Sequence, residues 1–175
     1  SLHHKTPSIG LTLFQGHDER IEDILKRADL AMYQAKAAGR NTLRFYDPNM
    51  QAVVSARAAL ERDLRSAVPQ GQLLLHFQPV VDTDRRVRGH EALVRWRHPQ
   101  RGMVSPGEFI PVAELTGLIG PIGQWVLQAA CEQLVRWSAQ PETAHWTLAV
   151  NLSARQLRHP DFVPEVLAVL HIYQE

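Results

Sequence analysis

Three segments of this chain alternate polar and apolar residues in a way that could gather reactive side chains. Successive side chains on a β-strand point to opposite faces, so residues two apart share one. With Val87–Trp96 as a strand, Glu91, Leu93 and Arg95 share a face, opposite Ala92, Val94 and Trp96. With Thr147–Leu152 as a strand, Ala149, Asn151 and Ser153 lie opposite Leu148, Val150 and Leu152. On Leu73–Val81, His76 and Gln78 face away from Leu75 and Phe77. A carboxylate and an amide offer oxygen acceptors, and a guanidinium offers a planar fork of donors. Each strand thus joins an apolar face to one bearing isolated polar groups. An ordinary half-exposed sheet produces the same alternation, so these residues alone leave a site and a solvated face both open.

The elements that would position them are set by period and punctuation. Ser8–Phe14 reads as a short strand between Pro7 and Gly16. Asp18 is expected to cap a helix whose first turns are acidic. Its apolar spacing runs through Ile21, Ile24, Leu25, Ala28, Met32 and Ala35 until Gly39. Leu43–Tyr46 is a second strand, broken by Asp47-Pro48-Asn49. Gln51–Val68 reads as a linker helix with Val53, Leu60, Leu64 and Val68 as its stripe. Arg57/Glu61 and Glu61/Arg65 are spaced for i,i+4 pairs on its outer face. Only Asp82-Thr83-Asp84-Arg85 separates the next two strands, which fits an antiparallel hairpin and not a parallel crossover. Helices over 106–118 and 121–137, a strand over 147–152 and a final helix capped by Asp161 complete an α/β order.

Composition narrows the function. The 175 residues carry a net charge of +1, without the basic field that nucleic-acid polymers require. One cysteine, Cys131, permits no internal disulfide, favours a reduced cytoplasmic setting and reads as core packing. No apolar run approaches the roughly 20 residues of a membrane span, so any membrane anchor of a parent protein is expected upstream. Ser1–Lys5 leads into the first strand without a signal-peptide pattern. The nine histidines, at 3, 4, 17, 76, 90, 98, 145, 159 and 171, show no ligand spacing. The four tryptophans read as core anchors. Asn151-Leu152-Ser153 fits a glycosylation sequon but sits in a strand core without a secretion signal.

Longer phrases resemble known families. Ser8-Ile9-Gly10 followed by Arg27-Ala28-Asp29-Leu30-Ala31-Met32-Tyr33-Gln34-Ala35-Lys36-Ala37-Ala38-Gly39-Arg40-Asn41 resembles the tail of a GGDEF domain, the cyclic di-GMP synthase module. Phe77-Gln78-Pro79, Glu91-Ala92-Leu93-Val94-Arg95-Trp96 and Val150-Asn151-Leu152-Ser153 resemble the front half of an EAL domain, which hydrolyses that molecule. Arg97-His98-Pro99, Phe109-Ile110-Pro111 and Ala113-Glu114-Leu115-Thr116-Gly117-Leu118-Ile119 extend the match in order. The resemblance implies residues 1–49 as the GGDEF remnant, 50–69 as linker helix and 70–175 as the N-terminal part of an EAL domain. The implied fold is an incomplete TIM-type (β/α) barrel with an antiparallel first hairpin, after the C-terminal remnant of an α/β GGDEF domain.

That family uses two divalent cations, Mg²⁺ or Mn²⁺, to hydrolyse cyclic di-GMP to linear pGpG. By position, Glu91 resembles its catalytic metal-ligating carboxylate and Asn151 its amide ligand. Arg95 matches the position that holds a substrate phosphate, and Gln78 and Leu93 match substrate contacts. Lys36 and Arg40 match phosphate contacts of the GGDEF family, although the C-terminus of a helix favours cations regardless. A homodimer through the EAL domain is an expected assembly. The family's later ligands, including an Asp-Asp pair and a catalytic Lys, find no match here, and a whole barrel takes about 250 residues. The expectation is a parent phosphodiesterase, and a chain inactive and prone to self-association by itself. A noncatalytic cyclic di-GMP-binding module is the alternative for the parent. Synthase activity is not expected, because the residues that carry it would precede Ser1.

Overall fold

A computed structural model of the protein describes residues 6–16 and 18–173. Ser1–Lys5, with His3 and His4, and His17 therefore lie outside the described residues. The chain divides into two compact units, Ser1–Ala58 and Ala59–Glu175.

In the first unit, β1 (Ile9–Leu11) and β2 (Leu43–Phe45) pair in parallel, joined through α1 (Ile21–Ala37). Small residues let this helix lie close to the strands: Ala31 and Ala35 are fully buried. Gly10 is required at the contact, because a Cβ there would sit 2.8 Å from Met32 Cα and nearer still to Ala28 O. Two expectations fail. Arg20, not Asp18, occupies the N-cap, without a side-chain cap bond, since the helix begins at Ile21 and Asp18 lies a further two residues back. Ile21 and Leu25 are 72% and 64% exposed. The inward face instead runs through Ile24, Ala28, Ala31, Met32 and Ala35.

Helix α2 (Asn49–Ala67) ends inside the second unit, where Leu60, Leu64 and Ala67 join the main core. Val53 of its expected stripe is exposed, and Glu61 pairs with Arg65 at 2.6 Å. The hairpin is β3 (Leu73–Val81) against β4 (Val87–His98), antiparallel as the short connection requires. Two elements are additional to those expected: a three-residue β5 (Gly102–Val104), antiparallel to Trp96–His98, and α5 (Ala154–Leu157). Helices α3 (Pro106–Thr116) and α4 (Ile119–Ser138) lead to β6 (Thr147–Val150), which pairs in parallel with β4, and α6 (Phe162–Ile172) ends the unit. Strand β6 stops at Val150, so Asn151–Ser153 form a loop and not its expected extension. Asp161 takes the N-cap position of α6 but makes no cap hydrogen bond there. Its backbone is already αR, whereas a capping residue is typically extended.

The core centres on Trp96 and Phe109, both 0% exposed, with rings 5.7 Å apart and nearly perpendicular. Trp96 Nε1 donates to Gln72 Oε1 at 2.9 Å, so burying the indole leaves no orphan donor. Of the other tryptophans, Trp125 packs against this core. Trp137 and Trp146 are only half-buried and meet each other and His90 in a satellite aromatic cluster. Cys131 is buried, and that burial pushes its thiol pKa up, as a packing residue and not a reactive one requires.

His98, 6% exposed, ties α2 to this core. Its Nδ1 accepts from the backbone N–H groups of Gln100 and Arg101, both at 3.1 Å, so the ring proton sits on Nε2, 3.3 Å from Asp63 Oδ2. Arg101 also reaches that oxygen, at 3.1 Å. Asp63→Ala leaves a buried Nε2–H without its acceptor, a loss of about 1–3 kcal/mol. The expected result is a lower urea midpoint at unchanged slope; an unchanged midpoint would refute this role.

The hairpin turn is held by one carboxylate. Asp82 Oδ1 accepts from the N–H groups of Asp84 and Arg86, both at 2.9 Å, and Oδ2 takes Arg88 Nε at 2.7 Å. The Arg86 N–H, with Arg88 and Asp84, holds the Asp82 pKa below the usual 3.8, against a smaller opposing effect of desolvation. A pKa lowered on folding adds stability that is present above 3.8 and lost as pH falls through the folded value. NMR titration of the Asp82 carboxyl carbon is expected to give a midpoint below 3.8; one at or above it would contradict the turn geometry.

Candidate functional site

Strand β4 is the centre of the site because it has partners on both sides. Across β3, Gln78 stands opposite Glu91, His76 opposite Leu93, and Leu74 opposite Arg95. Across β6, Glu91 stands opposite Ala149. Gln78, Glu91 and Ala149 therefore form one row over three strands, with Asn151 two residues beyond Ala149.

Close approach of β6 makes the next contact. Gly89 is buried opposite Thr147, and a Cβ there would be 3.0 Å from the Thr147 carbonyl carbon and closer to its oxygen. Only glycine lets the strands meet at that register. Asn151 Nδ2 then donates to Glu91 Oε1 at 2.6 Å, joining residues sixty positions apart. The Asn151 side chain thus reaches Glu91 from a loop and not from the strand expected to carry it.

Arg95 is half-buried, and its guanidinium donates to Val94 O at 2.9 Å. It lines a cavity of about 350 Å³ together with Leu93, Glu114, Asn151 and Gln156. All five EAL-type positions thus fall either in the Gln78–Glu91 pair or on this cavity, and Asn151, on the cavity, reaches Glu91 of the pair. Lys36 and Arg40 lie in the first unit, at and just past the exposed C-terminal turn of α1, with Arg40 at φ 64°. There they complement the helix dipole, whatever else they do.

Glu91 and Asn151 offer hard oxygen donors, the type that Mg²⁺ and Mn²⁺ prefer over sulfur or imidazole. The donor set suits such an ion but is small. Among the described residues no group of three or more His, Cys, Asp or Glu could hold a metal. As placed, Asn151 turns its NH₂ toward Glu91. An ion between them would take the amide oxygen, so the amide must rotate to serve as a ligand. The residues fit a divalent cation as two members of a larger oxygen shell.

Sequence reasoning missed Gly89, which admits β6, and Gly123 and Gln156, which also line the cavity. For Gln156 a signal existed, since Ser153-Ala154-Arg155-Gln156 has the spacing of a capping box. For the glycines there was none, because their requirement comes from a neighbouring element.

Comparison with known proteins agrees with this geometry. The EAL domain model matches residues 61–175, and the diguanylate cyclase GGDEF domain model matches residues 2–42. The bifunctional diguanylate cyclase/cyclic di-GMP phosphodiesterase MucR of Pseudomonas aeruginosa is 44% identical over 91% of this chain and 23% of its own length. The cyclic di-GMP phosphodiesterase PdeR of Escherichia coli is 39% identical over 86% of this chain and 22% of its own. This chain thus spans less than a quarter of the length of these curated relatives. A solved cyclic di-GMP complex of the PaMucR phosphodiesterase aligns with TM-score 0.62 and 46% identity, over 66% of this chain and 47% of that one. The chain therefore belongs to the EAL-domain family, its mixed α/β fold covering part of that TIM-type barrel, with a stretch of GGDEF domain ahead of it.

Proposed function

We propose that residues 70–175 supply the first part of a cyclic di-GMP phosphodiesterase site, with residues 50–69 as the connecting helix and 1–49 as GGDEF sequence. The observation that carries this reading is the 2.6 Å contact between Glu91 and Asn151, two oxygen-bearing ligand candidates brought together across β4 and β6. EAL phosphodiesterases are metal-dependent, and Mg²⁺ or Mn²⁺ suits these donors best. Such ions lower the pKa of a bound water and stabilise charge on phosphate oxygens. Glu91 and Asn151 would hold a cation. Arg95 would hold the substrate's non-bridging phosphate oxygens through its guanidinium fork. Gln78, opposite Glu91, would hydrogen-bond the substrate, and Leu93 would supply apolar contact in the same cavity. Water attacks one phosphorus, one ester P–O bond breaks, the departing oxygen takes a proton, and linear pGpG results.

A homodimer through the EAL domain belongs to the same reading, as do a reduced cytoplasmic setting, which the single thiol supports, and the lack of a nucleic-acid polymer as partner, which the near-zero net charge supports. The test is calorimetric titration of cyclic di-GMP into a protein carrying this chain within a complete EAL domain, followed by chromatography for pGpG. Binding with product formation is expected. Binding without product would replace the phosphodiesterase by a receptor, and no binding would overturn both.

A further inference from the structure

Asn151 lies past the last ladder pair of β6, so strand hydrogen bonding does not by itself hold its side chain at Glu91. The segment on its C-terminal side, Ser153–Gln156, is tightly held. Ser153 N–H donates to Gln156 Oε1 at 3.1 Å, and Gln156 N–H donates to Ser153 Oγ at 3.2 Å. These reciprocal bonds form a capping box that fixes the backbone from Ser153 to Gln156. Arg155 adds a guanidinium bond to the carbonyl of Glu114 on α3.

Gln156 is itself only 9% exposed, because the far end of its amide rests on α4. At that point α4 carries Gly123, which is buried. A Cβ on Gly123 would lie 2.9 Å from Gln156 Cδ and closer still to Nε2. Glycine inside a helix is less favourable than alanine. Here its missing side chain makes the seat for the glutamine.

We propose that Gln156, seated on Gly123, is a positioning residue that holds Asn151 in place as a ligand beside Glu91. Strand pairing fixes the loop on one side, at Val150, and the capping box fixes it on the other, at Ser153. Asn151 is thereby confined to a two-residue span between rigid points. The inference rests on reading Glu91 and Asn151 as cation ligands.

The test measures Mn²⁺ affinity, from the electron paramagnetic resonance signal of free Mn²⁺, in a protein carrying this chain within a complete EAL domain. Gln156→Ala is expected to weaken Mn²⁺ binding about tenfold, the scale on which groups that orient metal ligands act. Gln156→Glu keeps the acceptor for Ser153 N–H and is expected to restore most of the affinity. Gly123→Ala should weaken Mn²⁺ by displacing Gln156, and should add nothing in the Gln156→Ala background. Should Gln156→Ala fail to fold, Ser153→Ala removes half of the capping pair and carries the same expectation. In the 175-residue chain, Gln156→Ala should also speed exchange of the Ser153 and Gln156 amides while α4 amides stay unchanged. Wild-type Mn²⁺ affinity in Gln156→Ala, or additive effects of the two substitutions, would overturn the proposal. Cyclic di-GMP hydrolysis by the wild type is read separately. Its absence with Mn²⁺ binding and the coupling intact would sink only the phosphodiesterase reading, whereas no Mn²⁺ binding at all would sink both.

Discussion

Glu91→Ala is expected to abolish cyclic di-GMP hydrolysis, measured as pGpG formed by a protein with this chain inside a complete EAL domain. The reason lies in charge. Glu91 carries the carboxylate of the Glu91–Asn151 pair, and an amide alone is a weak ligand for a hard dication. A bound cation contributes several kcal/mol to stabilising the charge of a phosphoryl transition state. A loss of about 3 kcal/mol or more corresponds to roughly a hundredfold or more in rate. Glu91→Gln separates charge from shape. It can still accept the Asn151 N–H through its amide oxygen, so the loop should stay in place while activity is lost. Activity in Glu91→Gln near that of wild type would show that the carboxylate's role is structural, and the proposed site would have to move elsewhere on the sheet.

Trp96→Ala is expected to destabilise the second unit strongly, the largest stability effect in the molecule. Its indole is fully buried, packs edge-on against Phe109 and donates to Gln72. Removing a buried Trp costs about 3–5 kcal/mol, because contacts are lost and a cavity remains. Domains are typically stable by only about 5–15 kcal/mol, so a large share of the stability is lost. Thermal unfolding followed by near-ultraviolet circular dichroism is the measurement. A midpoint within a few degrees of wild type would mean that the core does not depend on this residue. Trp96 and Arg95 are adjacent on β4 but face opposite ways, so Arg95→Ala should impair substrate binding while leaving the melt largely unchanged.

The hairpin shows how much could be read from the chain. Its alternation, and a connection too short for a crossover, specified antiparallel pairing and which residues shared a face; the register then put Gln78 opposite Glu91. Helix α1 shows where such reading stops. Ile21 and Leu25 fit a 3.6-residue period as well as Ala31 does, yet the strands lie against the alanines. Periodicity defines a stripe, but its edges depend on what packs against it. Strand β5 escaped notice because three residues show no usable period, and it exists only as a partner for Trp96–His98.

The ordered phrases of the chain were enough to point to the family and, through that resemblance, to nominate Glu91, Arg95 and Asn151, while alternation showed only which residues of one strand share a face. The meeting of Glu91 with Asn151 was decided only in three dimensions. It depends on Gly89 admitting β6 at one register, on β6 ending at Val150, and on Gln156 finding its seat at Gly123. Each of these is a steric fit between elements distant in sequence. No local rule of spacing encodes such a fit, and packing alone selects it.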